Sequence, residues 1–144
     1  MPRIKLTLPA SFPFRTVIPI RITDLNYGGH VGNDTVLSLM HEARVQFLRS
    51  VGYDELNLAG VGLIMSDAAI EFKQEVFYGS FLNAHVAAGD FTRLGFDLYY
   101  KLTMESNGVE IVVAMGKTGM VCFDYAKRKI VGVPDEAVKK LQFL

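Results

Sequence analysis

The segment that most constrains this chain is Asp34–Val51. Its apolar residues Val36, Leu37, Met40, Ala43, Phe47, Leu48 and Val51 fall close to the i, i+3/i+4, i+7 spacing of one helix face. Leu39 and Val45 widen that stripe, so the pattern predicts a long helix with much of its surface buried. Gly52 stands where a C′ glycine ends a helix. The start falls at Asn33 or Asp34, either of which suits an N-cap, and is entered from a polar, glycine-bearing bend, Asp24–Gly32. Bend and helix start together concentrate Asp24, Asn26, Tyr27, His30, Asn33 and Asp34. Such a junction sets reactive side chains beside the free N–H groups of a helix N-terminus, which suit an anion or a developing oxyanion. An ordinary capped turn carries the same residue types.

The rest of the chain reads mainly as strand. In Thr16–Thr23, Ile18, Ile20 and Ile22 alternate with Val17, Pro19, Arg21 and Thr23. Pro19 cannot donate to a ladder, so this strand is an edge or is bulged there. From Val61 onward the pattern predicts an antiparallel meander: Leu63–Phe77, Ser80–Asp90, Gly95–Met104 and Val109–Asp124. Asn107-Gly108 is its strongest hairpin signal. A short strand, Lys129–Val133, precedes a terminal helix, Pro134–Leu141, with proline at its first position. Tyr53–Leu58 is expected to make a short helical turn, and Met1–Phe14, with Pro2, Pro9 and Pro13, to be extended and peripheral. One buried helix followed by four or five antiparallel strands is an α+β arrangement with the helix on one sheet face. No linker, repeat or low-complexity stretch interrupts it, so residues 1–144 form one domain.

Composition removes several function classes. Half the residues are hydrophobic and the formal net charge is zero, which argues against disorder and against nucleic acid as a partner. Cys122, the single cysteine, excludes an internal disulfide and a thiolate metal cluster, and its apolar neighbours predict a buried thiol. His41 and His85 lack metal-ligand spacing, so no metal is expected. There is no signal-peptide pattern, and no apolar run approaches the ~20 residues needed to cross a bilayer. The expectation is a soluble cytoplasmic protein without a membrane partner.

Four segments together resemble the hotdog-fold acyl-CoA thioesterases of the 4-hydroxybenzoyl-CoA thioesterase type, over roughly Thr16 to Leu141. Asp24–Asn33, DLNYGGHVGN, is similar to that family's two acidic residues, short spacer and Gly-His-Val-Asn-Asn. His41-Glu42-Ala43-Arg44 is like its Glu-Ala-Arg, Ile70–Gly79 like its strand before a Gly-Asp or Gly-Ser turn, and Val133–Glu136 like its terminal Pro-Asp/Glu helix start. The resemblance implies a long central helix wrapped by a five- to six-stranded antiparallel sheet. It implies a homodimer with sheets joined edge to edge, in some members stacked into a homotetramer. Active sites then lie at the subunit interface, at the N-terminal end of the central helix. The implied substrates are acyl thioesters of coenzyme A or of acyl carrier protein, with coenzyme A as part of the substrate and no separate cofactor.

One departure bears on mechanism. In many members the second acidic residue of the bend is the catalytic carboxylate, and here that position is Asn26. An amide cannot act as nucleophilic carboxylate or general base, though it can orient a water or hold the thioester carbonyl. By the resemblance, the Asn33 N–H faces that carbonyl. Glu42, His30, Asp24 and Asp67 then compete for the base role. Each has a plain structural alternative: an ion pair of Glu42 with Arg44 or Lys73, a structural hydrogen bond for His30, an Asx-turn or cap for Asp24, a solvated strand face for Asp67. Lys73, Arg93, Lys127 and Arg128 are candidates for the coenzyme A phosphates. Two other readings stand beside acyl-CoA hydrolysis: a non-catalytic acyl-thioester binding protein on the same scaffold, and a hotdog hydratase acting on enoyl thioesters.

Overall fold

The structure is a computed structural model that describes residues 3–142. Pro2, one of the N-terminal prolines, lies outside that range. The order of elements is β1 (Phe14–Pro19), a 3-10 turn (Ile22–Asp24), α1 (Asn33–Ser50), β2 (Gly62–Phe72), β3 (Phe81–Gly89), β4 (Gly95–Ser106), β5 (Val109–Asp124), β6 (Lys129–Ile130) and α2 (Asp135–Gln142). The six strands form one antiparallel sheet in the order β1-β3-β4-β5-β2, with β6 pairing β5. Only β3, β4 and β5 make the expected meander: β2 crosses over to pair β5, and β1 takes the place beside β3. Pro19 sits on β1, which is an edge strand as its missing N–H requires. At the hairpin between β4 and β5, Asn107 and Gly108 both take positive φ, 53° and 78°.

The buried face of α1 is Val36, Leu39, Met40, Ala43, Phe47 and Leu48, with Arg44 among them. It lies on the sheet face formed by Leu82, Ala84 and Val86 of β3, Phe96, Leu98, Tyr100 and Leu102 of β4, and Ala114, Met120 and Cys122 of β5. Helix and sheet approach closely because β5 offers bare backbone at Gly116. A Cβ there would stand 2.6 Å from the sulfur of Met40. This is the helix wrapped by an antiparallel sheet that the resemblance implies. Burial pushes the Cys122 thiol up to about 11, so it remains protonated and unreactive.

The N-terminal arm lies on the opposite sheet face. The Leu6 N–H donates to Glu71 Oε2 at 2.7 Å, and Phe12 packs edge-on to His85 under the Lys101 ammonium.

Several boundaries differ from the sequence pattern, each for a local reason. The first strand stops at Pro19, because the Asp24 carboxylate takes the Arg21 N–H at 2.8 Å and folds Ile22–Asp24 into a 3-10 turn. Tyr53–Leu58 is not helical: Asp54 Oδ1 accepts from the Leu56 and Asn57 N–H groups, both at 2.8 Å, and Leu58 bridges to Val61. β2 ends at Phe72 rather than Phe77. Val113, the extra residue of a bulge in β5, offers its carbonyl to both Lys73 N–H and Gln74 N–H, at 2.8 and 3.1 Å, and turns the chain out of the sheet. The last strand shortens to Lys129–Ile130, and the terminal helix begins after Pro134. The N-cap of α1 is Gly32, with no side-chain cap from Asn33, Asp34 or any other residue.

Candidate active site

Missing side-chain caps at the start of α1 shape the site. Thr35 and Val36 donate to the Gly32 carbonyl at 3.0 and 3.2 Å. Among the described residues, the Asn33 and Asp34 N–H groups have no acceptor. Gly32 sits close to its neighbours. A Cβ there would meet Asp34 Oδ1 at 2.6 Å and the Asn26 Cβ at 3.5 Å. The bare glycine lets the bend lie against the first helical turn, leaving two N–H dipoles pointing outward.

The bend is held by its own backbone. Leu25 bridges to Val31, the Asn26 N–H donates to the His30 carbonyl at 2.8 Å, and the Gly29 N–H to the Asn26 carbonyl at 3.1 Å. The Asn26 side chain makes an Asx-turn, its Oδ1 accepting from the Gly28 N–H at 2.9 Å. Its amide Nδ2 has no acceptor among the described residues. His30 Nδ1 faces the Val31 carbonyl at 3.1 Å. A carbonyl only accepts, so that contact assigns the proton to Nδ1 and leaves the lone pair on Nε2. Nε2 faces Glu75 Oε1 at 3.8 Å, and the edge of Phe77 packs on the ring.

His30 and Asn33 border a half-open cavity of about 350 Å³, and Asn26 stands in the adjoining bend, outside the cavity's lining. His30, Asn33, Lys73 and Glu75 form its polar rim, Phe72 one wall, and Val36, Val76 and Val113 its buried apolar floor. The β5 bulge builds this floor by swinging the Lys73–Val76 segment beneath the helix N-terminus. Glu75 is a site residue that the sequence reading missed, because it fell inside the presumed strand Leu63–Phe77. The run Lys73-Gln74-Glu75 breaks the period-two pattern of that strand and was the available signal.

The other candidates lie elsewhere. Asp24 is 5% exposed and spent on the Arg21 N–H and, at 3.4 Å, the Arg21 guanidinium. It lines a second groove, between α1 and β1, with Glu42. Glu42 pairs with neither Arg44 nor Lys73. It accepts from Gln46 Nε2 at 2.7 Å, and Gln46 in turn accepts from the Thr16 hydroxyl at 2.5 Å. Asp67 lies on the sheet face away from α1, 3.2 Å from Lys117 Nζ and taking the Gly119 N–H at 3.0 Å. Of the four proposed bases, only His30 lines the cavity with Asn33.

The basic residues divide similarly. Lys73 is on the cavity rim, 3.4 Å from Glu71, whose carboxyl is held below the usual range by the Leu6 N–H and Lys73. Arg93 lies in the β3–β4 connection, and Lys127 and Arg128 in the β5–β6 turn. Both belong to the far end of β5, beyond Val121, whereas the cavity adjoins Val113. One protomer therefore does not bring them to Lys73. Among the described residues no three His, Cys, Asp or Glu side chains converge as metal ligands do, and no helix is long and apolar enough to cross a membrane.

Comparison with known proteins places this geometry in a family. The chain is 27% identical over 133 residues to a curated protein of Aquifex aeolicus (strain VF5) whose own name assigns it esterase activity only provisionally; the match covers 91% of this chain and 98% of that one. The crystal structure of a hypothetical protein from Aquifex aeolicus superposes with a TM-score of 0.80 at 25% identity, over 90% of this chain and 100% of the other. A 1,4-dihydroxy-2-naphthoyl-CoA thioesterase from Synechocystis superposes with a TM-score of 0.79 at 20% identity, over 89% and 94%. An Asp-to-Asn mutant of 4-hydroxybenzoyl-CoA thioesterase complexed with 4-hydroxybenzoyl-CoA gives 0.81 at 14% identity, over 90% and 98%. The last two likenesses are of fold. The sequence model of the Thioesterase-like superfamily matches residues 20–141, which span the bend, the central helix and the whole sheet from β2 onward, and the chain belongs to that family.

Proposed function

We propose that this protein hydrolyses acyl thioesters of coenzyme A, with His30 as the base that activates water. The observation that carries this reading is the placement of His30 Nε2, backed by Glu75 at 3.8 Å, on the same cavity rim as the uncapped start of α1. The thioester carbonyl oxygen accepts from the Asn33 N–H, and the free Asn26 amide holds the water or the carbonyl from the other side. His30 Nε2 removes a proton as the water oxygen attacks the carbonyl carbon, and the negative charge collects on the oxygen facing the helix N-terminus. Glu75 stabilises the imidazolium that results. Collapse breaks the C–S bond, and the proton on His30 passes to the departing thiolate. Water and thioester become a carboxylic acid and free coenzyme A.

The same reading takes the protein as a homodimer. Among the described residues the outer edge of β2 is unpaired, and Met65 and Phe72 on that strand are exposed. Such an edge suits pairing with a second copy. Light scattering after size exclusion checks this.

Free thiol release from short, medium, long and aromatic acyl-CoAs tests the activity, with wild type, His30→Ala and Glu42→Ala. Loss in His30→Ala alone is the expected result. Loss in Glu42→Ala alone would move the base to the α1–β1 groove. No thiol release from any acyl-CoA or acyl carrier protein would overturn the reading. One observation favours a second one: Asn26 stands where the resemblance expects a carboxylate, and its Oδ1 is already engaged by the Gly28 N–H. Saturable acyl-CoA binding without turnover would establish a binding protein instead.

A further inference from the structure

The cavity has one apolar direction that leads into the protein, along its valine floor. From the Asn33 N–H the surface descends to Val36, Val76 and Val113, which are 6%, 3% and 2% exposed. One helical turn beyond Val36, about 6 Å along α1, stands Met40. Met40 is fully buried, and its sulfur and methyl crowd the bare backbone of Gly116, 2.6 and 2.7 Å from where a Cβ would be. Val36 and Met40 share a helix face, so a chain laid along the valine floor toward the interior meets Met40 end-on. Of the alternative routes, one passes the half-exposed Phe72 and leads out to solvent, and the others cross Lys73, Gln74, Glu75 and His30. Covering those groups with an alkyl chain would strip water from a lysine and a carboxylate without replacing their hydrogen bonds.

We propose that the acyl group this site accepts is short, and that Met40, seated on Gly116, sets the limit on its length. The inference rests on the placement of the thioester carbonyl at the Asn33 N–H given above. Within it, Met40 is a specificity-determining residue that never touches the reacting atoms. Gly116 acts with it: the missing side chain is what allows Met40 to fill the space between helix and sheet completely.

The test separates this inference from the hydrolase reading by using S-alkyl thioethers of coenzyme A, which bind but cannot be hydrolysed. Calorimetry with S-butyl-, S-hexyl-, S-decyl- and S-hexadecyl-CoA measures how affinity changes with chain length in wild type and in Met40→Ala. The expected result is a wild-type affinity that stops rising by S-hexyl-CoA, with S-decyl-CoA bound no more tightly than S-butyl-CoA. In Met40→Ala, S-decyl-CoA gains at least tenfold over S-butyl-CoA. Met40→Val serves where Met40→Ala does not fold, and the wild-type series decides by itself in either case. Wild-type affinity that climbs steadily through S-decyl- and S-hexadecyl-CoA would overturn the proposal, as would failure of every analogue to bind. A length limit in binding without thiol release from any acyl-CoA or acyl carrier protein would leave this inference standing and remove the hydrolase.

Discussion

Halfway along α1, Arg44 turns into the core, where its Nε donates to Glu55 at 2.5 Å and its terminal nitrogen to the Tyr100 hydroxyl at 3.2 Å. Tyr100 in turn shares a 2.8 Å hydrogen bond with Thr118, and Glu55 also meets His41 at 3.3 Å. Burial works against the charge on Arg44, but Tyr100 and Glu55 outweigh it and hold the guanidinium more firmly protonated than usual. At the first turn of the same helix the arrangement is reversed. The uncapped Asn33 and the His30 imidazole line an open cavity, and the capping position is a glycine with no side-chain oxygen to offer. Polar groups satisfied inside a protein rigidify it, whereas groups left over beside a cavity are available to a ligand. Helix polarity alone does not distinguish a site from a strut; the partner count does.

The largest effect should come from emptying the open end. His30→Ala is expected to lower kcat/KM for the best acyl-CoA by ~10³-fold, about 4 kcal/mol, with an unchanged thermal midpoint. A shift in the midpoint with activity retained would assign His30 to the bend's structure instead. Next is the closed network: Arg44→Ala should cost about 3 kcal/mol in urea unfolding, because it takes the buried cation from Glu55 and leaves the Tyr100 hydroxyl with Thr118 alone. A loss below 1 kcal/mol would mean that water reaches those groups freely.

Glu75→Gln keeps the shape of the rim and removes the charge facing His30. The expected loss is ~10-fold in kcat, or ~1.4 kcal/mol, read in steady-state kinetics. His85 offers a smaller test, away from both regions. Burial lowers its pKa, with Lys101 and Arg15 adding to the effect and Glu110 opposing it. The unfolded chain therefore takes up this proton at higher pH than the native state. Stability from this group is full above pH ~6.5 and is lost as pH falls from there toward the lowered native value. His85→Gln should flatten that acid-side slope by at most ~1.4 kcal/mol per pH unit in denaturation curves. Smallest of all, Glu42→Ala should cost ~0.5 kcal/mol in stability, the worth of an exposed i, i+4 contact, and less than threefold in activity.

Much of this arrangement is legible in the residues. The stripe from Val36 to Leu48 requires a half-buried helix whatever surrounds it, and Asn107-Gly108 and Pro19 place a hairpin and an edge through backbone chemistry alone. The bend was legible too, since Asn26, His30 and Asn33 are neighbours in sequence and stay neighbours in space. Glu42 and Asp67 were misleading for a common reason. A carboxylate near an apolar run looks the same in sequence whether it faces a cavity, a groove or the far side of a sheet. The choice depends on helix phase and strand register.

The sequence by itself determined the central helix, the succession of strands along the chain, the polar bend and the family, because those depend on local periodicity and turn chemistry. It did not determine the order of strands in the sheet, where β2 pairs β5 instead of its chain neighbour β3. Tertiary structure alone decided which polar groups share the cavity. Glu75 comes to His30 because a bulge at Val113 captures the Lys73 and Gln74 N–H groups, an interaction between segments some forty residues apart. Met40 reaches the sheet behind the valine floor because Gly116, on β5, has no side chain to keep it away. Both depend on close packing between distant parts of the chain, which sequence periodicity does not encode.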